Sequence, residues 1–286
     1  MLIKNYITKK KVMIDMLINK IAIEKKALEE RDNMTSYGIK NIFSFIIQKD
    51  ILLIRYPFGK DKLLGFSTIY EGKKVIVSNS SEILSREIYT VAHELGHIIF
   101  DLSDDSNGIK IDTTDEVSEL GICEERAFHF ANCFLMPEEE LRRFIRHELK
   151  KYPQDLNAFD IVRMQLEFQV SYAALIVRLF DIGILNSSQK SNLFDKRDSL
   201  TSRVLFQKLD ADQKLLKPAE VTEVPPNYLE YVTSNYDNNY IPYTSLEKAL
   251  GLINMDASAF KITTACKDEE LDIDVIFKEY KNERIC

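Results

Sequence analysis

The chain has 286 residues, and 45% of them are hydrophobic, so one large domain or two ordinary domains with a substantial core are expected. Its formal net charge of -7 argues against a protein whose main role is to coat nucleic acid. The four cysteines form no CxxC pair, and no apolar run reaches the roughly 18 residues of a membrane span. The start of the chain also lacks the pattern of a signal peptide, so we expect a cytoplasmic protein with no membrane contact.

The first part of the chain predicts helices around a small sheet. Helical spacing of apolar residues alternates there with short runs of β-branched and aromatic residues. The last two runs flank Glu71 and Gly72, which predicts a hairpin. The edge of this hairpin could pair with an extended peptide, or the hairpin could serve only as a lid over the core. The predicted elements are a helix over 9–31, a helix over 42–47, a strand over 51–56, and hairpin strands over 65–70 and 73–77.

The centre of the chain carries the sequence HELGH at residues 93–97. On a helix, residues four apart project from the same face, so His93 and His97 can bind one metal ion. Glu94 is one step round the helix and can reach a water molecule bound to that ion. The pattern therefore predicts a metal-binding helix with one face towards a cleft and the other in the core. The apolar residues at helical spacing on the opposite face are Ile88, Val91, Leu95 and Ile98.

A third ligand is needed, because a catalytic zinc ion usually takes three protein ligands and one water molecule. Some zinc sites take their third ligand from an extended motif, with a glycine three residues and a histidine six residues after the second histidine. This motif is absent, because the residues at those distances from His97 are Phe100 and Ser103. The segment 101–115 predicts a loop, and a helix follows from about 118 to 136. A carboxylate on this helix is the stronger candidate, from Glu119, Glu124 or Glu125. Other possible ligands are His129, His147, Asp101, Asp104, Asp105 and Asp112.

Glu124 has the more favourable position among these carboxylates. It shares a helix face with Ala127 and Ala131, whose small side chains would let this helix approach the metal-binding helix closely. Glu125 lies one step round and points partly away from that face. Glu124 is therefore the preferred ligand, with Glu125 as the alternative.

Ligation by two histidines and a glutamate, with a further glutamate as base, predicts hydrolysis of an amide bond. The ion would lower the pKa of its water, and Glu94 would move the proton to the leaving nitrogen. Zinc is the default metal, although manganese or iron could occupy such a site. The group that stabilises the oxyanion stays open among four residues. These are Tyr70, Tyr89, His129 and His147.

The second half of the chain predicts helices and then a change of composition. Helices near 156–168 and 171–180 resemble a helix-turn-helix, but no basic run supports contact with DNA, and direct nucleic-acid binding is not expected. Residues 186–202 are polar, which predicts a domain boundary. We therefore divide the chain into a domain over 1–188 and a small accessory domain over 189–286.

Several motifs together resemble the ImmA/IrrE family of metallopeptidases. The resemblance covers roughly residues 20–185 and is much more specific than the metal-binding pattern alone. One position departs from the family pattern, since the family often has Asn or Asp after the alanine where this chain has Phe128. The matching segments are Val75 to Asn79, Tyr89 to His97, Glu124 to Ala131, Phe134 to Pro137, and Val170 to Leu179.

The resemblance implies a fold, a site and a substrate class. The fold would be α+β and zincin-like, of the gluzincin kind, with a small sheet and hairpin packed on the metal-binding helix, a helical bundle, and a small C-terminal domain. Zinc would be held by His93, His97 and Glu124, with Glu94 as the catalytic base. The substrate would be a helix-turn-helix transcriptional repressor, often of a phage or mobile element. The alternative is a non-catalytic module that binds such a repressor and has a structural metal.

Overall fold

The computed structural model divides the chain into two compact units, Met1–Val221 and Thr222–Cys286. The first unit extends beyond residue 188, after which the sequence predicts a domain boundary. The division into domains at that residue stays a prediction. Residues 9–19 of the first predicted helix and most of the loop after the metal-binding helix lie outside the described residues. The structure describes residues 20–32, 34–70, 72–102, 117–199 and 202–257.

The first unit contains a small sheet and many helices. The strands are β1 (Leu52–Tyr56), β2 (Gly65–Tyr70) and β3 (Lys73–Asn79). The helices are α1 (residues 20–30), α2 (Ile42–Gln48), α3 (Leu84–Phe100), α4 (Val117–Leu135), α5 (Glu138–Phe144), α6 (Ala158–Phe168), α7 (Tyr172–Asp181), α8 (Ser187–Ser199) and α9 (Ser202–Lys208). Shorter turns are a π-helix at Ile145–Leu149 and 3-10 helices at Pro153–Asp155 and Lys214–Leu216.

The sheet has the strand order β1-β3-β2. β1 runs parallel to β3, with Leu52 opposite Val75, as expected for strands joined by a longer connection. β2 and β3 form the predicted hairpin, and Gly72 has a φ of +74°, a conformation that glycine adopts without strain. β2 therefore lies at an edge of the described sheet. The predicted mixed α+β class with a small sheet and a hairpin is confirmed.

Helix α3 is anchored on the sheet by its apolar face and by a buried ion pair. The predicted apolar residues Ile88, Val91, Leu95 and Ile98 are all buried. The Arg55 guanidinium on β1 donates to both carboxylate oxygens of Glu87 on α3, each at 2.8 Å. The Ser78 hydroxyl on β3 donates to the same carboxylate at 2.9 Å. These contacts tie α3 to β1 and β3.

Helices α3 and α4 pack closely because both present small residues at their contact. A Cβ built at Gly96 would lie 3.1 Å from the Cα of Ala127 and 3.2 Å from the Phe130 ring. Ala127 and Ala131 are completely buried. The close approach predicted from these two alanines is therefore present, and Gly96 on α3 contributes to it.

Two buried arginines hold the C-terminal end of α4. Arg31 donates to the carbonyl oxygen of Phe134 at 2.8 Å, and Arg178 on α7 donates to that of Met136 at 3.2 Å. The last carbonyl groups of a helix lack partners within the helix and carry partial negative charge, so a guanidinium stabilises them. Helix α4 is thus fixed at the end opposite its ligand candidates.

A short segment after α9 fastens the turn that enters α3. The Leu84 N–H donates to the carbonyl oxygen of Lys217 at 2.9 Å, and the Glu220 N–H donates to that of Ser80 at 2.9 Å. The Ser80 hydroxyl also donates to the carbonyl oxygen of Val221 at 2.6 Å. Helices α8 and α9 belong to the same core, since Leu193 and Phe206 are buried within it.

The second unit contains helices α10 (Tyr228–Asp237) and α11 (Tyr243–Leu252), and the latter includes the helix predicted near 245–252. Its small core contains Val232, Leu246 and Leu250. None of the helices in the part of the chain that the structure describes is both long enough and apolar enough to cross a membrane.

Candidate metal centre

Three side chains from α3 and α4 converge at one point. The Nε2 atoms of His93 and His97 lie 3.0 Å apart. The carboxylate oxygens of Glu124 lie 3.1 Å from each of these nitrogens. Within the described ranges this is the group of three potential metal ligands whose atoms lie within 4.8 Å of one another. The cluster is partly open to solvent, since the Glu124 side chain is 41% exposed.

His97 is held by a charged network at the end of α3. Its Nδ1 atom lies 2.7 Å from Oδ2 of Asp101, and the other oxygen of Asp101 accepts from Arg126 on α4. Burial acts to lower the pKa of His97, but the hydrogen bond to Asp101 and the surrounding carboxylates outweigh it, so the pKa is raised. A proton on Nδ1 leaves the lone pair of Nε2 directed into the cluster, as in many metal-binding histidines.

His93 lies in a different environment. Its ring packs against the Phe128 ring with 4.4 Å between centroids, and its buried Nδ1 has no hydrogen-bond partner in the described structure. Burial, together with the neighbouring His97, lowers the pKa of His93 to about 4. His93 is therefore neutral at neutral pH, the state in which an imidazole nitrogen can bind a metal.

Glu94 lies between this cluster and the edge of the sheet. The Ser67 hydroxyl on β2 donates to Oε2 of Glu94 at 2.8 Å. Glu94 is buried, and it follows His93 directly in the chain. Its carboxylate is directed towards β2. A carboxylate in this position can exchange a proton with a molecule bound at the cluster.

The cluster fits a zinc ion by the chemistry and spacing of its ligands. Two neutral imidazole nitrogens and a carboxylate are a common ligand set of catalytic zinc. Ligands 2.0–2.1 Å from a tetrahedral ion lie about 3.3 Å from one another, close to the 3.0 and 3.1 Å between these atoms. With Nε2 of each imidazole unprotonated, all three groups offer a lone pair that a cation at this point would accept.

The other ligand candidates are not brought to this point. Asp101 contacts the far nitrogen of His97 instead of the cluster, so its role is to position a ligand. His129 lies next to Cys133, with 3.7 Å between Nε2 and Sγ, and His147 is exposed on the π-helix. Glu125 is exposed beside Glu124 and is not part of the cluster. Asp104, Asp105, Asp112 and the side chain of Glu119 lie outside the described residues.

The candidates for oxyanion stabilisation also have defined positions. The Tyr89 hydroxyl donates to Oδ1 of Asn132 at 3.2 Å, and burial raises its pKa to about 12. Tyr70 is at the end of β2 and is 68% exposed. His129 and His147 lie away from the three ligand candidates, as described above. Of the four candidates, Tyr89 is the one on α3, where it lies one helix turn before His93.

Three contacts at the site were not predicted from the sequence. They are those of Ser67 with Glu94, of Arg126 with Asp101 and of Phe128 with His93. Arg126 lies two residues after Glu124, but its partner Asp101 is on another helix. The contact between Ser67 and Glu94 depends on how the hairpin packs on α3, which local spacing does not encode. Asp101 had a usable signal, since it lies four residues after His97, the spacing at which side chains meet on a helix.

Comparison with protein families finds one matching family model. Residues 48–180 match the Peptidase_M78 family model, described as an IrrE N-terminal-like domain. This match confirms the resemblance to the ImmA/IrrE metallopeptidases over the matched residues. The matched segment includes the sheet, α3, α4 and all residues of the cluster. The matched family suggests a peptidase. No curated protein matches the chain significantly.

Proposed function

We propose that the chain is a zinc-dependent endopeptidase that hydrolyses peptide bonds in a specific intracellular protein. The observation that carries this proposal is the convergence of His93 Nε2, His97 Nε2 and the Glu124 carboxylate, with Glu94 beside them. The family model that residues 48–180 match supports the class of reaction. The proposed fold of the catalytic part is zincin-like.

In the proposed site, His93, His97 and Glu124 hold the metal, and Asp101 orients His97. Zinc bound there would lower the pKa of a water molecule and polarise the scissile carbonyl group. Glu94 accepts the proton of the attacking water on a carboxylate oxygen and delivers it to the leaving nitrogen. The hydrogen bond from Ser67 holds the Glu94 carboxylate towards the cleft.

The substrate is proposed to bind in extended conformation along the edge strand β2. The backbone of β2 pairs with β3 on one side only among the described strands, so its other edge is available to a peptide. Because Ser67 of this strand contacts Glu94, a peptide on that edge passes the candidate base. We propose a helix-turn-helix transcriptional repressor as the substrate, on the basis of the family resemblance.

The test uses the full chain loaded with zinc and a Glu94→Gln variant as a substrate trap. Proteins retained by the Glu94→Gln chain are identified and then incubated with the parent chain. We expect the parent to cleave one of them at a defined bond, and the Glu94→Gln chain to retain about one zinc ion and cleave at least about a hundredfold more slowly. Gel analysis and mass spectrometry of the products measure both results.

A Glu125→Gln chain is the matched control, because this exposed carboxylate is adjacent to Glu124 but is not in the cluster. It should cleave at the rate of the parent. A retained protein that stays intact with the zinc-loaded parent would instead support the non-catalytic repressor-binding module. Equal cleavage by the Glu94→Gln chain would show that the assignment of the base is wrong.

A further inference from the structure

Phe128 is a large apolar side chain left half open to solvent beside the metal centre. It is 49% exposed on α4, one helix turn after Glu124, so both side chains leave the helix on the same face. One side of its ring packs against His93, with 4.4 Å between ring centroids. The rest of the ring is open to solvent on the helix face that Phe128 shares with Glu124.

The contact with His93 explains only part of the Phe128 side chain. The ring helps to keep His93 buried, and a branched aliphatic side chain could provide the same cover. The exposed half of the ring leaves apolar surface in water, which is unfavourable. Such surface at the edge of a cleft is typical of a binding site for an apolar group.

The surroundings of the cluster indicate which part of a peptide would meet this ring. β2 reaches the cluster from the Glu94 side, through Ser67, whereas Phe128 reaches it from the His93 side. A peptide extended along β2 projects alternate side chains away from the strand in opposite directions. A side chain next to the scissile bond that points across the cluster would contact Phe128.

We propose that Phe128 is a specificity-determining residue that receives a large apolar or aromatic side chain of the substrate next to the scissile bond. This inference rests on the proposed peptidase function. Stacking or edge-to-face contact with the exposed half of the ring provides the selectivity. Tyr89, whose ring centroid is 6.3 Å from that of Phe128, supports the ring from α3.

The test measures binding and does not depend on turnover. Two dipeptide hydroxamates are used, identical except that one carries a benzyl side chain and the other a glycine hydrogen. The hydroxamate group anchors both probes to the zinc-loaded full chain. We expect the benzyl probe to bind about tenfold more tightly than the glycine probe in titration calorimetry. In a Phe128→Ala chain this ratio should fall to less than about threefold.

The ratio of the two dissociation constants reports the selectivity that Phe128 provides. Loss of its packing against His93 would change the metal geometry and affect both probes equally, so it would leave the ratio unchanged. The matched control is Ile122→Ala, which removes a side chain that is 58% exposed on another face of the same helix. It should keep the ratio of the parent. Zinc content of each variant is measured alongside.

Three results would overturn the inference. If both probes bind the parent equally, Phe128 has no selective role, while an accessible metal site and the proposed function stand. If the Phe128→Ala chain keeps the tenfold ratio, the selectivity lies elsewhere in the cleft. If neither probe binds the zinc-loaded parent, the proposed function fails and the role of Phe128 fails with it.

Discussion

Side chains of helix α3 take part in two groups of ionisable residues, one on each side of the helix. On the sheet side, Arg55 and Glu87 have opposite charges, and the Ser78 hydroxyl completes the hydrogen bonding of the carboxylate. On the cleft side, His93, His97 and Glu124 all direct lone pairs to a common point. The first group satisfies itself, whereas the second lacks a positive charge at its centre.

This difference separates a structural cluster from a binding site. The side chains of Arg55 and Glu87 are almost completely buried, whereas that of Glu124 is 41% exposed. The groups also differ in charge, because the buried pair joins a cation to an anion, whereas the open cluster offers three ligand atoms to one point. The following changes test this distinction, beginning with the largest expected effect.

Removal of one partner from the ion pair should strongly destabilise the fold whether or not zinc is present. A Glu87→Gln change leaves the Arg55 charge buried, since the Arg55 side chain is only 6% exposed. We expect the free energy of unfolding in urea to fall by about 3–5 kcal/mol. The control is Glu138→Gln, which breaks an exposed pair with Arg142 and should cost less than about 1 kcal/mol. Replacement of both partners, as Arg55→Met with Glu87→Leu, should recover most of the loss.

Changes in the cleft cluster should affect the free energy of unfolding mainly when zinc is present. At free zinc about a hundredfold above its dissociation constant, the free energy of unfolding of the parent should rise by about 2.7 kcal/mol. Glu124→Ala should remove most of this gain, while its effect without zinc stays small because the side chain is 41% exposed. Glu125→Ala should keep the gain of the parent. Equal loss in both variants would contradict the assignment of Glu124 as the ligand.

The two histidines offer a finer comparison within the cluster. His97 has Asp101 at its far nitrogen, and His93 has only aromatic contact there in the described structure. An Asp101→Asn change should weaken zinc binding about 10- to 100-fold, measured by competition with a chelator. A Phe128→Leu change keeps an apolar cover over His93 and should alter zinc affinity less. Unchanged affinity in the Asp101→Asn chain would mean that orientation of His97 is not limiting.

The metal-binding part of this site was predictable because its information is local. Helical spacing placed His93 and His97 on one face, and the alanines after Glu124 indicated which helix face meets α3. The buried residues Ile88 and Leu95 were predictable from the same period. These properties depend on one helix at a time.

Features that depend on packing between distant segments were not predictable in the same way. Arg55 and Glu87 are separated by β2 and β3 in the chain, and no local sequence pattern indicates that they form an ion pair. The polar composition of residues 186–202 predicts a boundary, yet Leu193 on α8 lies in the core of the first unit and Phe194 packs against that core. Ser67 meets Glu94 only through the packing of the hairpin on α3.

His129 is a third kind of ionisable group: it is partly buried, and the charge of Arg178 affects it more strongly than the carboxylate of Glu24 does. Burial lowers its pKa below the usual 6.5, and the positive charge of Arg178 lowers it further. The unfolded chain therefore takes up a proton near pH 6.5 that the folded chain does not, so stability should be lost as the pH falls below about 6.5. The slope from a single proton cannot exceed about 1.4 kcal/mol per pH unit.

The measurement is urea unfolding of the parent and of His129→Gln without zinc, between pH 7.5 and pH 5 as a chosen range of about two and a half units. Because the two chains share every other titrating group, the difference between their curves isolates His129. We expect the variant to lose less stability than the parent on acidification. His147→Gln, which changes an exposed histidine, should follow the curve of the parent. A difference that grows with rising pH would mean that His129 is stabilised in its charged form, contrary to its position beside Arg178.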